Sequence, residues 1–206
     1  MLQKVSPEVF IILKIHDQCL VHWHKDSSLS HTYEGIYGLI ADEHAANFAI
    51  WHLEDIARIP DAPEADIARA KRQIDVLNQH RNDLIEAIDQ NLYNLLEEQC
   101  LLNPKAELHS ETPGLIIDRL SVLALKMYHT KEEVQRSDAP PGHAERNRRR
   151  YEILEQQRND LADCLNNLWH EILDGHKRFK VYRQLKMYND PTLNPEIYRR
   201  AQRATD

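Results

Sequence analysis

The densest group of side chains capable of chemistry lies in the stretch Trp51-His52-x-Glu54-Asp55-x-x-Arg58. On a helix, His52 and Asp55 are three positions apart and lie on one side, where they can share a proton or a metal ion. We therefore take these two as the candidate catalytic residues, with either of them as general base. Trp51, Glu54 and Arg58 are the adjacent candidates for ligand binding, because indole, carboxylate and guanidinium groups recognise small polar molecules.

A second polar row follows on the next predicted helix and contains Asp75, Asn78 and Asn82. Beside it, Arg81 interrupts an apolar seam, where a buried charge needs carboxylate partners. If the two helices form an antiparallel pair, these four residues extend the site to one that binds a phosphate, a sugar or a divalent ion. The alternative is a solvated face with ion pairs between residues four apart.

A cluster of Tyr182, Arg183 and Lys186 is a candidate anion-binding wall that closes this site. The alternative is that the basic residues only stabilise the end of a helix, where cations are favoured.

The chain has 12 histidines, so a divalent metal is a further candidate cofactor, with His44, His52 and Asp55 as possible ligands. The sequence contains no Glu-x-x-His, which di-iron helical bundles require, and this argues against that class. Its three cysteines include no Cys-x-x-Cys pair, which argues against a disulfide framework and a cysteine-based zinc site.

Apolar periodicity predicts one all-α domain, a bundle of about five helices, with no segment that alternates as a strand does. Pro60 and Pro63 separate the second helix from the third, and a Pro-Pro-Gly loop at 140–142 precedes the fifth. Gly175 is expected to kink the fifth helix. The predicted helices span about 7–25, 38–59, 63–100, 113–136 and 144–188, followed by a turn-rich tail at 189–206.

An internal repeat links the two halves of the bundle. The string Gln-x-Arg-Asn-Asp-Leu occurs at 79–84 and again at 156–161, and Gly-Leu-Ile-x-Asp occurs at 38–42 and again at 114–118. Two helix pairs at nearly the same offset are what a duplicated helical hairpin would produce. The alternative is chance similarity between amphipathic helices.

These polar strings also carry a resemblance to a known family. Residues 48–58, residues 71–83 and the stretch from Phe179 to Pro191 resemble DUF4254, a bacterial domain family of unknown function. The likeness extends over roughly residues 6–196. It implies an all-helical bacterial protein of about this size, and no activity comes with it.

The net charge of −7 argues against nucleic acid or an anionic membrane as the main partner. No segment is long and apolar enough to cross a membrane or to act as a signal peptide, so we expect a cytoplasmic protein. The leading hypothesis is a site for a small polar or phosphorylated ligand. The competing hypothesis is a non-enzymatic scaffold, a homo-oligomer in which buried Arg, Asp and Asn networks only fix the helix register.

Overall fold

The structure is a computed structural model, and it describes residues 8–26, 28–185 and 190–203. Six helices and a pair of two-residue strands make up the described chain. They are α1 (Val9–Trp23), α2 (Gly35–Ala57), α3 (Glu64–Glu98), β1 (Glu107–Leu108), α4 (Pro113–Gln135), α5 (His143–Leu173), β2 (Lys177–Arg178) and α6 (Pro195–Arg203). The all-α prediction is confirmed, and within these residues no helix is long and apolar enough to cross a bilayer.

Two antiparallel hairpins dominate the bundle: α2 packs along α3, and α4 packs along α5. α1 lies across α2, α4 and α5, and the shared core is lined by aliphatic residues such as Ile40, Ile88, Leu120 and Leu165. α2 and α4 both have 23 residues, and the loops that follow them span 58–63 and 136–142. This one-residue difference in loop length equals the change of the repeat offset from 76 to 77, and the duplication itself stays a prediction.

The first turn of α4 is held by a carboxylate from the other hairpin. Pro113 occupies the first helical position, and the Thr112 side chain accepts from Leu115 N. Gly114 N donates to Asp89 Oδ1 at 2.7 Å, which satisfies one of the amides that a helix leaves open at its start. Burial raises the pKa of Asp89 to about 6. The two hairpins are therefore joined by a buried polar contact as well as by apolar packing.

The prediction that the fifth helix continues to about residue 188 is wrong. α5 ends at Leu173, and Gly175 adopts a left-handed φ of +75°, which terminates the helix instead of kinking it. The chain then forms β2, which pairs in parallel with β1. Sequence analysis missed these strands because two residues are too few to show a period of two.

Candidate metal centre

Three histidines from separate parts of the chain converge at one end of the bundle. His24 directly follows α1, His52 lies on α2, and His129 lies on α4. One ring nitrogen from each lies within 4.8 Å of the others. Within the described residues, this is the group of three or more His, Cys, Asp or Glu side chains with metal-binding spacing.

The hydrogen bonds of the rings show which nitrogens are available. His24 Nδ1 lies 2.8 Å from the Leu20 carbonyl oxygen, and His129 Nδ1 lies 2.8 Å from Glu132 Oε2. Because both oxygens only accept, the neutral form of each ring carries its proton on Nδ1 and has a lone pair on Nε2. His52 Nδ1 faces Asp55 Oδ2 at 4.0 Å.

The three Nε2 atoms are buried, and none has a hydrogen-bond partner among the described residues. A buried polar nitrogen without a partner is costly, and three that converge need an explanation. Histidines that bind metal in proteins usually show this arrangement, with Nδ1 donating to a carbonyl or carboxylate and Nε2 left for the ion.

Aromatic side chains surround the cluster. The Tyr128 ring stacks on His24 with centroids 4.1 Å apart, and the Trp51 ring lies nearly parallel to His129 with centroids 4.9 Å apart. Phe48 contacts His52 edge to face at 4.4 Å. These rings pack against the imidazoles and limit the orientations of their planes.

The electrostatics favour the neutral, metal-binding form of His52. Burial, together with the neighbouring His129 and His24 rings, lowers the pKa of His52. Neutral imidazole is the form that coordinates a metal ion. Three nitrogens at the usual zinc distance of about 2.0–2.1 Å lie about 3.3–3.4 Å apart in a tetrahedral site, so the rings would close by about 1.5 Å or less.

The structure separates the residues that the sequence analysis grouped. His52 belongs to the histidine cluster and Asp55 lies beside it, whereas His44 does not join them. Both His44 nitrogens are engaged, Nδ1 with Ser121 Oγ at 2.7 Å and Nε2 with the His16 carbonyl oxygen at 3.2 Å. Burial lowers the pKa of His44 to about 3, so this residue is neutral and occupied within the core.

The other charged candidates of this stretch lie on the surface. Arg58 forms an ion pair with Glu54 at 2.6 Å, and Asp75 forms one with Lys71 at 2.7 Å. Both pairs join residues four apart on one helix, which is the solvated-face arrangement that the sequence left open as an alternative. Trp51 is brought to the histidine cluster instead.

Arg81 belongs to a separate polar network in the core. Its Nη1 donates to Asn47 Oδ1 at 3.2 Å, and its Nε lies 3.6 Å from Asp118 Oδ1. Asn47 Nδ2 contacts Glu43, Asp118 and Ser121. Burial and the Asp118 carboxylate hold the pKa of Glu43 well above its usual value. The carboxylate partner expected for Arg81 is therefore Asp118, on α4.

The remaining candidates are divided between the core and the chain beyond α5. Asn82 is buried and Asn78 is half-buried on α3. Tyr182 and Arg183 are exposed, and Lys186 lies outside the described residues. The following Gln184 N donates to Glu86 Oε1 at 2.6 Å, so this segment lies against α3.

Sequence reasoning missed His24 and His129. The high histidine count was a general signal, but it does not say which of 12 residues meet. The internal repeat did not identify them either. Its offset of 76 between α2 and α4 aligns His129 with Leu53, so the equivalent position in the first hairpin holds no histidine. Only the crossing of α1 over α2 and α4 brings the three rings together.

These features define an all-helical protein of two hairpins with a half-buried histidine cluster at one end. The chain matches the family described as "Protein of unknown function (DUF4254)" over residues 38–181, and it belongs to that family. His52 and His129 lie within the matched region, and His24 precedes it. Comparison with curated proteins and comparison with solved structures give no match.

Proposed function

We propose that this protein binds a divalent transition-metal ion, such as Zn²⁺, through His24, His52 and His129, and that the ion takes a small polar or phosphorylated ligand. The observation that carries the proposal is the convergence of three histidine rings, one nitrogen from each within 4.8 Å of the others, with buried Nε2 atoms that have no hydrogen-bond partner among the described residues. Imidazole suits zinc, copper, iron and nickel, whereas magnesium and calcium prefer oxygen ligands.

The number of ligands supports a site that acts on a bound molecule. Structural zinc sites have four protein ligands, whereas catalytic sites have three and leave a position for water or substrate. An ion held by three imidazoles acts as a Lewis acid on whatever occupies that position. In this proposal His52 is a metal ligand and not a general base, and Asp55 faces its other nitrogen.

The scaffold hypothesis is favoured by a different observation and concerns different residues. The Arg81 network is largely buried and joins α2, α3 and α4 through hydrogen bonds and an ion pair. Such a network fixes the register of helices and needs no ligand. We therefore assign Arg81 to the framework of the bundle, and the histidine cluster to function.

The test is metal titration of protein stripped with EDTA, by calorimetry with Zn²⁺ and by the visible spectrum with Co²⁺. We expect one equivalent to bind, with a Co²⁺ spectrum typical of a tetrahedral site. His52→Ala and His129→Ala should each weaken binding about tenfold or more, since each removes one ligand. His22→Ala is the matched control, because His22 is exposed on α1 and lies two residues from His24.

Two results would overturn the proposal. One is the absence of stoichiometric binding by any of Zn²⁺, Co²⁺, Ni²⁺ or Cu²⁺. The other is an equal loss of affinity in His22→Ala, which would place binding on surface histidines. Circular dichroism of each variant would confirm that the helices remain, so that loss of binding is not loss of fold.

A further inference from the structure

A cleft lies beside the histidine cluster, between α4 and α5. Its volume is about 430 Å³, which suits a small molecule. The α4 wall includes Lys126, His129 and Thr130, and the α5 wall includes Arg150 and Gln157. The cleft therefore shares His129 with the proposed metal centre, which is the one respect in which this inference rests on the proposed function.

The two cations in this cleft are not neutralised by the protein. Most arginines on the surface nearby are paired, as Arg149 is with Glu145 at 3.2 Å. In contrast, neither Lys126 nor Arg150 forms an ion pair with a carboxylate in the part of the chain that the structure describes. Two uncommitted positive charges on facing helices attract a dianion.

Arg150 is also held in place. Its Nη1 donates to Asn147 Oδ1 at 3.2 Å, and Asn147 is buried and contacts His143 through its amide nitrogen. His143 Nε2 in turn lies 2.7 Å from Glu133 Oε2. Glu133 is the carboxylate that lines the cleft, and its contacts with His143 and Arg136 offset its charge.

The rest of the lining is apolar or aromatic. Ile153 is 57% exposed, and with Leu154 it provides an aliphatic surface on α5. Trp51 lies at the opposite side, stacked on His129. The cleft thus combines polar side chains, which can fix the orientation of a ligand, with an apolar surface for its organic part.

We infer that this cleft binds the phosphate group of a small phosphomonoester, with Arg150 and Lys126 as its two cationic contacts. The planar guanidinium of Arg150 matches two phosphate oxygens, and the Lys126 ammonium adds a point charge. The organic part of the ester lies against Trp51 and Ile153. This site is distinct from the row on α2 and α3 that the sequence suggested for a phosphorylated ligand.

The test uses phenyl phosphate as the probe and the Trp51 indole N–H signal in a ¹H–¹⁵N spectrum as the readout. The chain has three tryptophans, and Trp23 and Trp169 are buried at 3% and 4% exposure, so Trp51 is the one at the cleft. Trp51→Phe assigns its signal. Titrations are run on EDTA-treated protein and again on zinc-saturated protein.

We expect phenyl phosphate to shift the Trp51 signal in both forms, and benzoate, with a single charge, to bind about tenfold more weakly or worse. Arg150→Gln and Lys126→Gln should each raise the dissociation constant about tenfold or more. Arg149→Gln and Lys131→Gln are the matched controls, because these residues are exposed neighbours on the same helices.

Four results would overturn the inference: no shift in either form, an equal effect of the control variants, equal binding of benzoate, or zinc-dependent binding that survives Arg150→Gln. If phenyl phosphate does not bind in the cleft, the metal titration still tests the proposed function independently. Conversely, the EDTA-treated protein could bind phenyl phosphate through Arg150 and yet take up no metal. That result would refute the proposed function and support phosphate binding in the cleft.

Discussion

Glu43→Gln should leave the fold intact and remove a pH dependence that the native protein carries. Glu43 is fully buried, and both its burial and the Asp118 carboxylate raise its pKa, so the folded protein favours the acid form of this side chain. Glutamine has the same shape as a protonated glutamate: its oxygen can accept from Asn47, and its amide can donate to Asp118. At low pH the two proteins should therefore have similar free energies of unfolding.

The difference between the two proteins grows with pH. An exposed glutamate in the unfolded chain has a pKa near 4.3, so above that pH the folded state binds one more proton than the unfolded state. The contribution of Glu43 to the stability of the native protein then falls by about 1.4 kcal/mol per pH unit until the folded pKa is reached. Between pH 5 and 7, the advantage of Glu43→Gln should thus grow by up to about 2.7 kcal/mol.

Urea unfolding at a series of pH values, followed by circular dichroism, measures this difference. All other titrating groups are common to both proteins and cancel in the comparison. Glu152→Gln is the control, because Glu152 is exposed on α5. Parallel stability profiles for the native protein and Glu43→Gln would refute the reasoning, since they would mean that Glu43 is ionised in the folded state throughout.

Two further substitutions probe the contact between the hairpins. Because burial raises the pKa of Asp89 to about 6, the folded state loses stability as pH rises from about 4 to 6. Asp89→Asn should therefore be more stable than the native protein at pH 8, by about 3 kcal/mol at most, in urea unfolding. Asp83→Asn is the control, and it should change the stability little because Asp83 is exposed. Gly114→Ala should lower the free energy of unfolding by about 1–3 kcal/mol with an unchanged urea m-value, because the added Cβ would lie 2.8 Å from Asp89 Oδ1 and 2.9 Å from the Ile85 carbonyl oxygen.

The fold was largely predictable because helix signals are local. Thr112-Pro113 predicted the start of α4 correctly, and the prolines at 60 and 63 marked the break between α2 and α3. Gly175 was recognised as an interruption of the helix, but the local sequence does not say whether the helix bends or ends there. The parallel strands depend on residues 70 positions apart, and no local pattern reports such a pairing.

The candidate site was less predictable, because it depends on how helices cross. His52 was identified from its neighbours, and its spacing to Asp55 matches the approach of that carboxylate to Nδ1. The same spacing gave no information about the two histidines that His52 meets. His24 and His129 carry no local pattern, since each meets the others only through tertiary packing. Arg81 could be recognised as a buried charge in need of a carboxylate, although the sequence could not name Asp118.

The pairing of β1 with β2 has a consequence for the order in which the chain assembles during synthesis. The α2–α3 hairpin is complete once residue 98 has left the ribosome, and its helices can pack locally. In contrast, β1 has no strand partner until residues 177–178 emerge, and Asp89 has no amide to accept from until Gly114 arrives. A nascent chain thus exposes the inner face of its first hairpin while the second is made, and this is the interval in which association with other chains competes with folding.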